Sequence, residues 1–147
     1  HNRTSMRASS ILPQSGYMVF ADEILEISDG YASCAFSVKE DSPFTEDGEL
    51  GSYAYMEIMA QCIGVYSGYR NDGEARLGFL LGVRNLDISR ASLKVGERVI
   101  ATARQSVSDG DGLYIFDCEI RCGGEHIASA TLSVMRASDE MIKSING

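Results

Sequence analysis

The hydrophobic and polar positions of this chain sort into one long helical pattern set among strand patterns. Residues 17–27 are apolar with interspersed acids, and Ser28-Asp29-Gly30 supplies turn chemistry, which predicts a first strand or a strand and turn. From 31 to 38 the chain partly alternates, Cys34, Phe36 and Val38 against Ser33, Ala35 and Ser37, the period-2 signature of a half-buried strand. Residues 40–51 are acidic, contain glycine and Pro43, and read as a loop. Residues 52–69 are dominated by Ala, Met, Ile, Cys and Tyr behind Ser52 as a prospective N-cap, which predicts a helix of roughly 27 Å. Apolar residues occupy nearly all of its directions, and a helix apolar all round must be buried. Past a loop at 70–75, strand patterns return at 77–88, 98–107, 113–121 and 126–135. Turn residues at 95–97, 109–112 and 123–124 separate them, the last two fitting hairpins. Residues 136–147 are polar and read as a tail.

Two strands, a long buried helix and then four strands define an α+β domain in which one antiparallel sheet wraps one central helix, the hotdog arrangement. One curved sheet cannot cover such a helix on every side, so a second subunit is expected, most simply in a two-fold dimer. At 147 residues the chain has the size of one domain with a full core. Residues 6–135 are taken as that domain, and 1–5, which precede Met6, as a leader left from expression.

Charge narrows the partners. The formal net charge is -8, and binding phosphate backbones needs a positive field, so nucleic acid is set aside. The charge is uneven: ten acids between Asp22 and Glu57 face Lys39 alone, while Arg84, Arg90, Lys94, Arg98 and Arg104 stand against Asp87 and Glu97. The basic stretch reads either as solvated strand faces or as a dock for an acidic partner. Cys34, Cys62, Cys118 and Cys122 form no C-x-x-C pair and no signal peptide is evident, which points to free thiols in the cytoplasm and to no metal or disulfide framework. No apolar run reaches the ~18–20 residues needed for a membrane span.

On the predicted helix only Glu57 and Gln61 are strongly polar, and their i, i+4 spacing stacks them on one face, continued by Gly64 and Gly68. A carboxyl on a buried helix is either a general acid or base or a structural group, held by Gln61 or a tyrosine and fixing subunit register. Free N–H groups at the start of the helix, near Ser52 and Tyr53, could polarise a substrate carbonyl.

The run Glu57-Ile58-Met59-Ala60-Gln61 resembles the "E-x-x-A-Q" helix of 3-hydroxyacyl-(acyl-carrier-protein) dehydratases, and it follows a Ser42-Pro43-Phe44 loop as it does there. Leu77 to Arg84, followed by Leu93-Lys94-Val95-Gly96-Glu97-Arg98, is similar to their next strand and its "P-G-D-x-L" turn. Gly78-Phe79-Leu80-Leu81-Gly82-Val83-Arg84 is similar to the "G-F-L-L-G-x-R" segment of the dehydratase-like subfamily of aryl polyene biosynthesis clusters. The resemblance covers about residues 12–135. It implies a hotdog dimer without cofactor, acting on 3-hydroxyacyl groups of acyl carrier protein or coenzyme A in fatty-acid or polyene biosynthesis. It places the acyl chain beside the helix, so that Gly78, Phe79 and Leu80 would line it, and Gln61 and Gln14 would orient substrate. In those dehydratases a histidine of a "G-H-F-P" loop takes the α-proton, while the helix glutamate of the other subunit handles the departing hydroxyl. Here Phe44-Thr45-Glu46-Asp47 replaces that loop, and Leu12-Pro13-Gln14 stands where the polyene subfamily often has "L-P-H". His126 falls on a late strand and reads as structural. Three functions therefore compete: a dehydratase using Glu57, a hotdog thioesterase in which a lone carboxylate activates water, and a non-catalytic partner subunit of an active dehydratase, in a homodimer or a heterodimer.

Overall fold

The computed structural model describes residues 21–42, 45–70, 78–108 and 112–136. Its frame is a six-stranded antiparallel sheet built from β1 (Ala21–Ser28), β2 (Tyr31–Ser37), β5 (Gly78–Ile88), β7 (Arg98–Ser108), β8 (Leu113–Cys122) and β9 (Glu125–Arg136), in the order β1-β2-β7-β8-β9-β5. The helix α1 (Tyr55–Arg70) follows a 3-10 turn over Ser52–Ala54 and packs chiefly against β1, β2, β7 and β8. The predicted α+β order is present, and the five strand segments at 31–38, 77–88, 98–107, 113–121 and 126–135 agree with the observed ones to within a few residues. The expected residues 17–20 of the first strand, Leu77 and the tail after Arg136 lie outside the described residues.

Three expectations need correction. The loop at 40–51 contains a hairpin, β3 (Thr45–Glu46) and β4 (Glu49–Gly51), which joins β6 (Ser92–Lys94) in a second, three-stranded sheet. Asp47 and Gly48 turn it with φ of 53° and 79°, the left-handed pair that a two-residue hairpin demands. The Asp-Gly signal was present in sequence, but flanking strands of two and three residues give no periodicity. Because β6 belongs to this second sheet, five strands follow the helix rather than four. Ser52 is not the cap: the turn is capped by Gly51 without a side-chain hydrogen bond, since β4 runs to Gly51 and Ser52 already lies inside the turn.

The third correction concerns β2. Ala32 to Phe36 are all buried, without the expected alternation. On the outer face Ser33 stands between Glu26 and Thr102, and Ala35 between Glu23 and Ile100, so small residues are shaded by larger neighbours.

What lets α1 lie on the sheet is the size of the inner side chains. Ala32 and Cys34 of β2, Ala101 and Ala103 of β7, Cys118 of β8 and Ala128 and Ala130 of β9 are buried on that face. Small groups there bring the helix close enough for the Cys62 thiol to reach the carbonyl oxygens of Ala32 and Ala101, each at 3.6 Å. Ile58, Met59, Val65 and Tyr66 fill the space beside it. The Tyr66 ring meets Phe116 edge-on at 5.8 Å, and its hydroxyl accepts the Gly30 N–H at 2.9 Å, tying α1 to the β1–β2 turn. Overpacking a filled interface costs roughly 1–3 kcal/mol or more. Ala101→Leu should therefore lower the melting temperature by about 3–10 °C in thermal unfolding followed by circular dichroism. An unchanged melting temperature would mean that the helix is not held at this separation.

Candidate functional site

The outer side of α1 is open. Met56, Glu57, Ala60, Gly64 and Ser67 are half-buried and Tyr53, in the preceding turn, is 59% exposed. A helix expected to be buried all round is thus covered on its sheet side and left partly bare on the other. Glu57 lies in the first turn of α1, and Gln61, one turn on, is buried. Ser52, Tyr53, Glu57 and Gln61 are therefore carried by one continuous element.

Gly78, Phe79 and Leu80 are placed elsewhere. They begin β5, the edge strand beyond β9, while α1 packs chiefly on β1, β2, β7 and β8. Leu80 is 49% exposed, so it does not pack in the core. Leu81, Val83, Leu86 and Ile88 of the same strand are also exposed. A Cβ built on Gly82 would meet nothing within 4 Å among the described residues. Gln14 lies outside the described residues. In the segment after Ser42, Thr45–Glu46 form β3, and the Thr45 hydroxyl donates to the Lys39 carbonyl at 2.8 Å.

Behind the start of α1 lies a cluster that sequence reading did not find. The hydroxyl of the fully buried Tyr55 donates to the Arg90 carbonyl at 2.8 Å, and burial pushes that phenol up, keeping it a donor. The Arg90 guanidinium pairs with Glu97 and, at 3.5 Å, with Glu125. Glu97 also accepts the Lys94 N–H at 2.7 Å. One arginine so links the helix start, the β6–β7 turn and the β8–β9 hairpin, residues too far apart in sequence to form a motif. The basic stretch is accordingly not one free patch, because Arg90 faces carboxylates, Arg98 pairs with Glu23 at 3.1 Å, and Arg104 lies 4.6 Å over the Tyr31 ring.

The remaining candidates carry no reactive group. Cys34, Cys62 and Cys118 are free and buried. A hydrogen bond with Cys34, with burial, raises the Cys62 thiol, and burial pushes Cys118 up to about 12, so neither offers a thiolate. The Nδ1 of His126 lies 2.6 Å from the Ser89 hydroxyl, an exposed contact between β9 and the residue after β5. Among the described residues no group of three or more His, Cys, Asp or Glu is gathered as for a metal ion, and no helix is long and apolar enough to cross a membrane.

A helix laid across a curved antiparallel sheet, with its one half-buried carboxylate on the open side, is the hotdog fold of acyl-thioester proteins. Residues 6–145 match the ApeP-like family of ApeP dehydratases, and the chain belongs to that family. It is similar to the dehydratase heterocomplex ApeI:P from Xenorhabdus doucetiae, with 27% identity over 97% of this chain and 98% of that one and a TM-score of 0.84. A hypothetical thioesterase with coenzyme A from Streptococcus pneumoniae shares the fold at 16% identity, covering 86% of this chain and 91% of that one with a TM-score of 0.64. The TT0310 protein from Thermus thermophilus does so at 22% identity over 78% of this chain and 90% of that one, with a TM-score of 0.61. No curated protein matches the chain.

The Arg90 cluster makes a pH-dependent contribution. The Lys94 N–H and the Arg90 side chain hold the Glu97 carboxyl below the usual carboxylate range. A depressed folded value stabilises the protein above the unfolded value, near 4.5, and that stability is lost as pH falls through the folded value. Glu97→Gln should therefore cost about 1–2 kcal/mol at pH 7, with the difference shrinking below about pH 4.5. Urea unfolding of both proteins at pH 7 and pH 3.5 checks this. A difference independent of pH would mean that the Glu97 charge does not stabilise the cluster.

Proposed function

We propose that this chain is one subunit of a hotdog dehydratase for 3-hydroxyacyl thioesters borne by acyl carrier protein, in fatty-acid or polyene biosynthesis, and that it works against a related dehydratase subunit. The observation that carries the reading is the division of the candidate residues within one chain. Glu57 and Gln61 lie on α1, while Gly78, Phe79 and Leu80 lie on the far edge strand β5. A second subunit set against β5 would bring one chain's edge strand toward the other's open helix face. That the ApeI:P dehydratase is a heterocomplex supports a non-identical partner.

The two sheet edges support the same arrangement. Both edge strands are interrupted by two register irregularities, but β1 carries Asp22, Glu23 and Glu26, charges that discourage strand addition. β5 is eleven residues long and exposes five large aliphatic side chains. Glycine in a strand weakens it unless something approaches closely, and among the described residues nothing approaches Gly82. Leu81→Lys should then weaken association at least tenfold in analytical ultracentrifugation, while Glu26→Lys on β1 leaves it unchanged. Equal effects of the two substitutions would place the interface elsewhere.

In the dehydration, a base removes the proton at C2, the electron pair forms the C2–C3 double bond, and the C3–O bond breaks as an acid protonates the departing hydroxide. Glu57 is the acid. Gln61 and Gln14 hydrogen-bond but do not titrate, so the base comes from the partner. General acid catalysis typically contributes ~10²–10⁴-fold, and Glu57→Gln should reduce turnover by that factor with assembly intact. Carrier-bound 3-hydroxyacyl and enoyl chains are resolved by mass spectrometry. Unchanged turnover would exclude Glu57. The replacement of the histidine loop by β3 favours a second reading, a non-catalytic subunit: turnover that needs this chain but survives Glu57→Gln would establish it.

A further inference from the structure

We infer that Tyr55 is a positioning residue, which fixes the first turn of α1 through the Arg90 carbonyl and so sets where Glu57 presents its carboxyl; this rests on the reading of Glu57 as the acid. Glu57 follows Tyr55 by two residues in that turn. The segment leading into it supplies little hold of its own, for the 3-10 turn over Ser52–Ala54 has no side-chain cap. Other parts of the chain hold the start of α1. The β4–β6 ladder sets Gly51 opposite Ser92, and the Tyr55 hydroxyl reaches the Arg90 carbonyl at 2.8 Å.

The acceptor is itself firmly held. Arg90 lies in the short link between β5 and β6, where the Ser89 and Arg90 N–H groups both donate to the Ile127 carbonyl, at 2.8 and 3.3 Å. The Ser89 hydroxyl meets His126, and the Arg90 guanidinium pairs with Glu97 and Glu125. Ile127 is fully buried in β9, so the Arg90 carbonyl takes its position from the main sheet. The fully buried Tyr55 ring would fill the core equally well as phenylalanine, which brings no polar group in need of a partner. What the hydroxyl adds is direction: a hydrogen bond between residues 35 apart in sequence resists rotation and sliding of the first helical turn against the sheet. The half-buried Glu57 carboxyl turns with that helix, and misplacing a reacting group by ~1 Å can cost ~10²-fold in rate.

Turnover of a carrier-bound 3-hydroxyacyl chain by the assembled protein, at a temperature where every variant is folded, tests this. Tyr55→Phe should lower kcat about five- to tenfold with KM unchanged, so that kcat and kcat/KM fall together. Arg90→Gln keeps the carbonyl but releases the link from Glu97 and Glu125, and should lower kcat by a smaller factor. The double variant should be no slower than Tyr55→Phe alone, because both changes act through one hydrogen bond. A purely structural loss would lower the melting temperature and leave kcat per folded assembly unchanged. Unchanged kcat in Tyr55→Phe, or single effects that multiply in the double variant, would overturn the role of Tyr55; a loss of turnover in Glu57→Gln would then leave the reading of Glu57 standing. Undiminished turnover in Glu57→Gln would overturn both.

Discussion

The rest of the structure depends on how closely α1 approaches the sheet. Alanine and cysteine on the inner faces of β2, β7, β8 and β9 leave room for the helix, and Cys62 reaches two strand carbonyls through it. Dispersion and the hydrophobic effect reward such proximity only when the facing surfaces are filled. Larger inner residues would lift the helix; polar ones would bury unsatisfied groups. With the sheet side thus saturated, the other side of the helix stays half-buried among the described residues.

That remaining side defines the chemistry open to the protein. Glu57 is held half-buried, neither in the core nor on a solvated loop, and its helix is anchored at the start by Tyr55 and the Arg90 cluster. Precise placement matters because proton transfer falls off steeply with distance. The same sheet that seats the helix ends in an apolar edge at β5, and on the proposed reading the open helix face and this edge are covered together by a second subunit.

Much of this was legible in sequence. The helix at 52–69 and five of the strand segments follow from composition and turn residues, because those elements are long enough to show their pattern. The "E-x-x-A-Q" run pointed to hotdog dehydratases and the "G-F-L-L-G-x-R" segment to a dehydratase-like subfamily among them, and residues 6–145 match the ApeP-like family. What escaped depends on contacts distant in sequence or on very short elements. The β3–β4 hairpin has too few residues for a period, and Arg90 meets Glu97 and Glu125 only after β6 through β9 have folded. The position of β5 at the sheet edge is a property of topology; its apolar run reads equally as a core strand.

The central claim is that the open edge at β5 and the open side of α1 are covered by a second subunit. Amide hydrogen exchange on the assembled protein, compared with the dissociated chain, tests it most directly. The account predicts slowed exchange over Gly78–Ile88 and around Glu57 on assembly, with β1 unchanged. Equal exchange of β5 in the two states, or protection that appears at β1 instead, would contradict it.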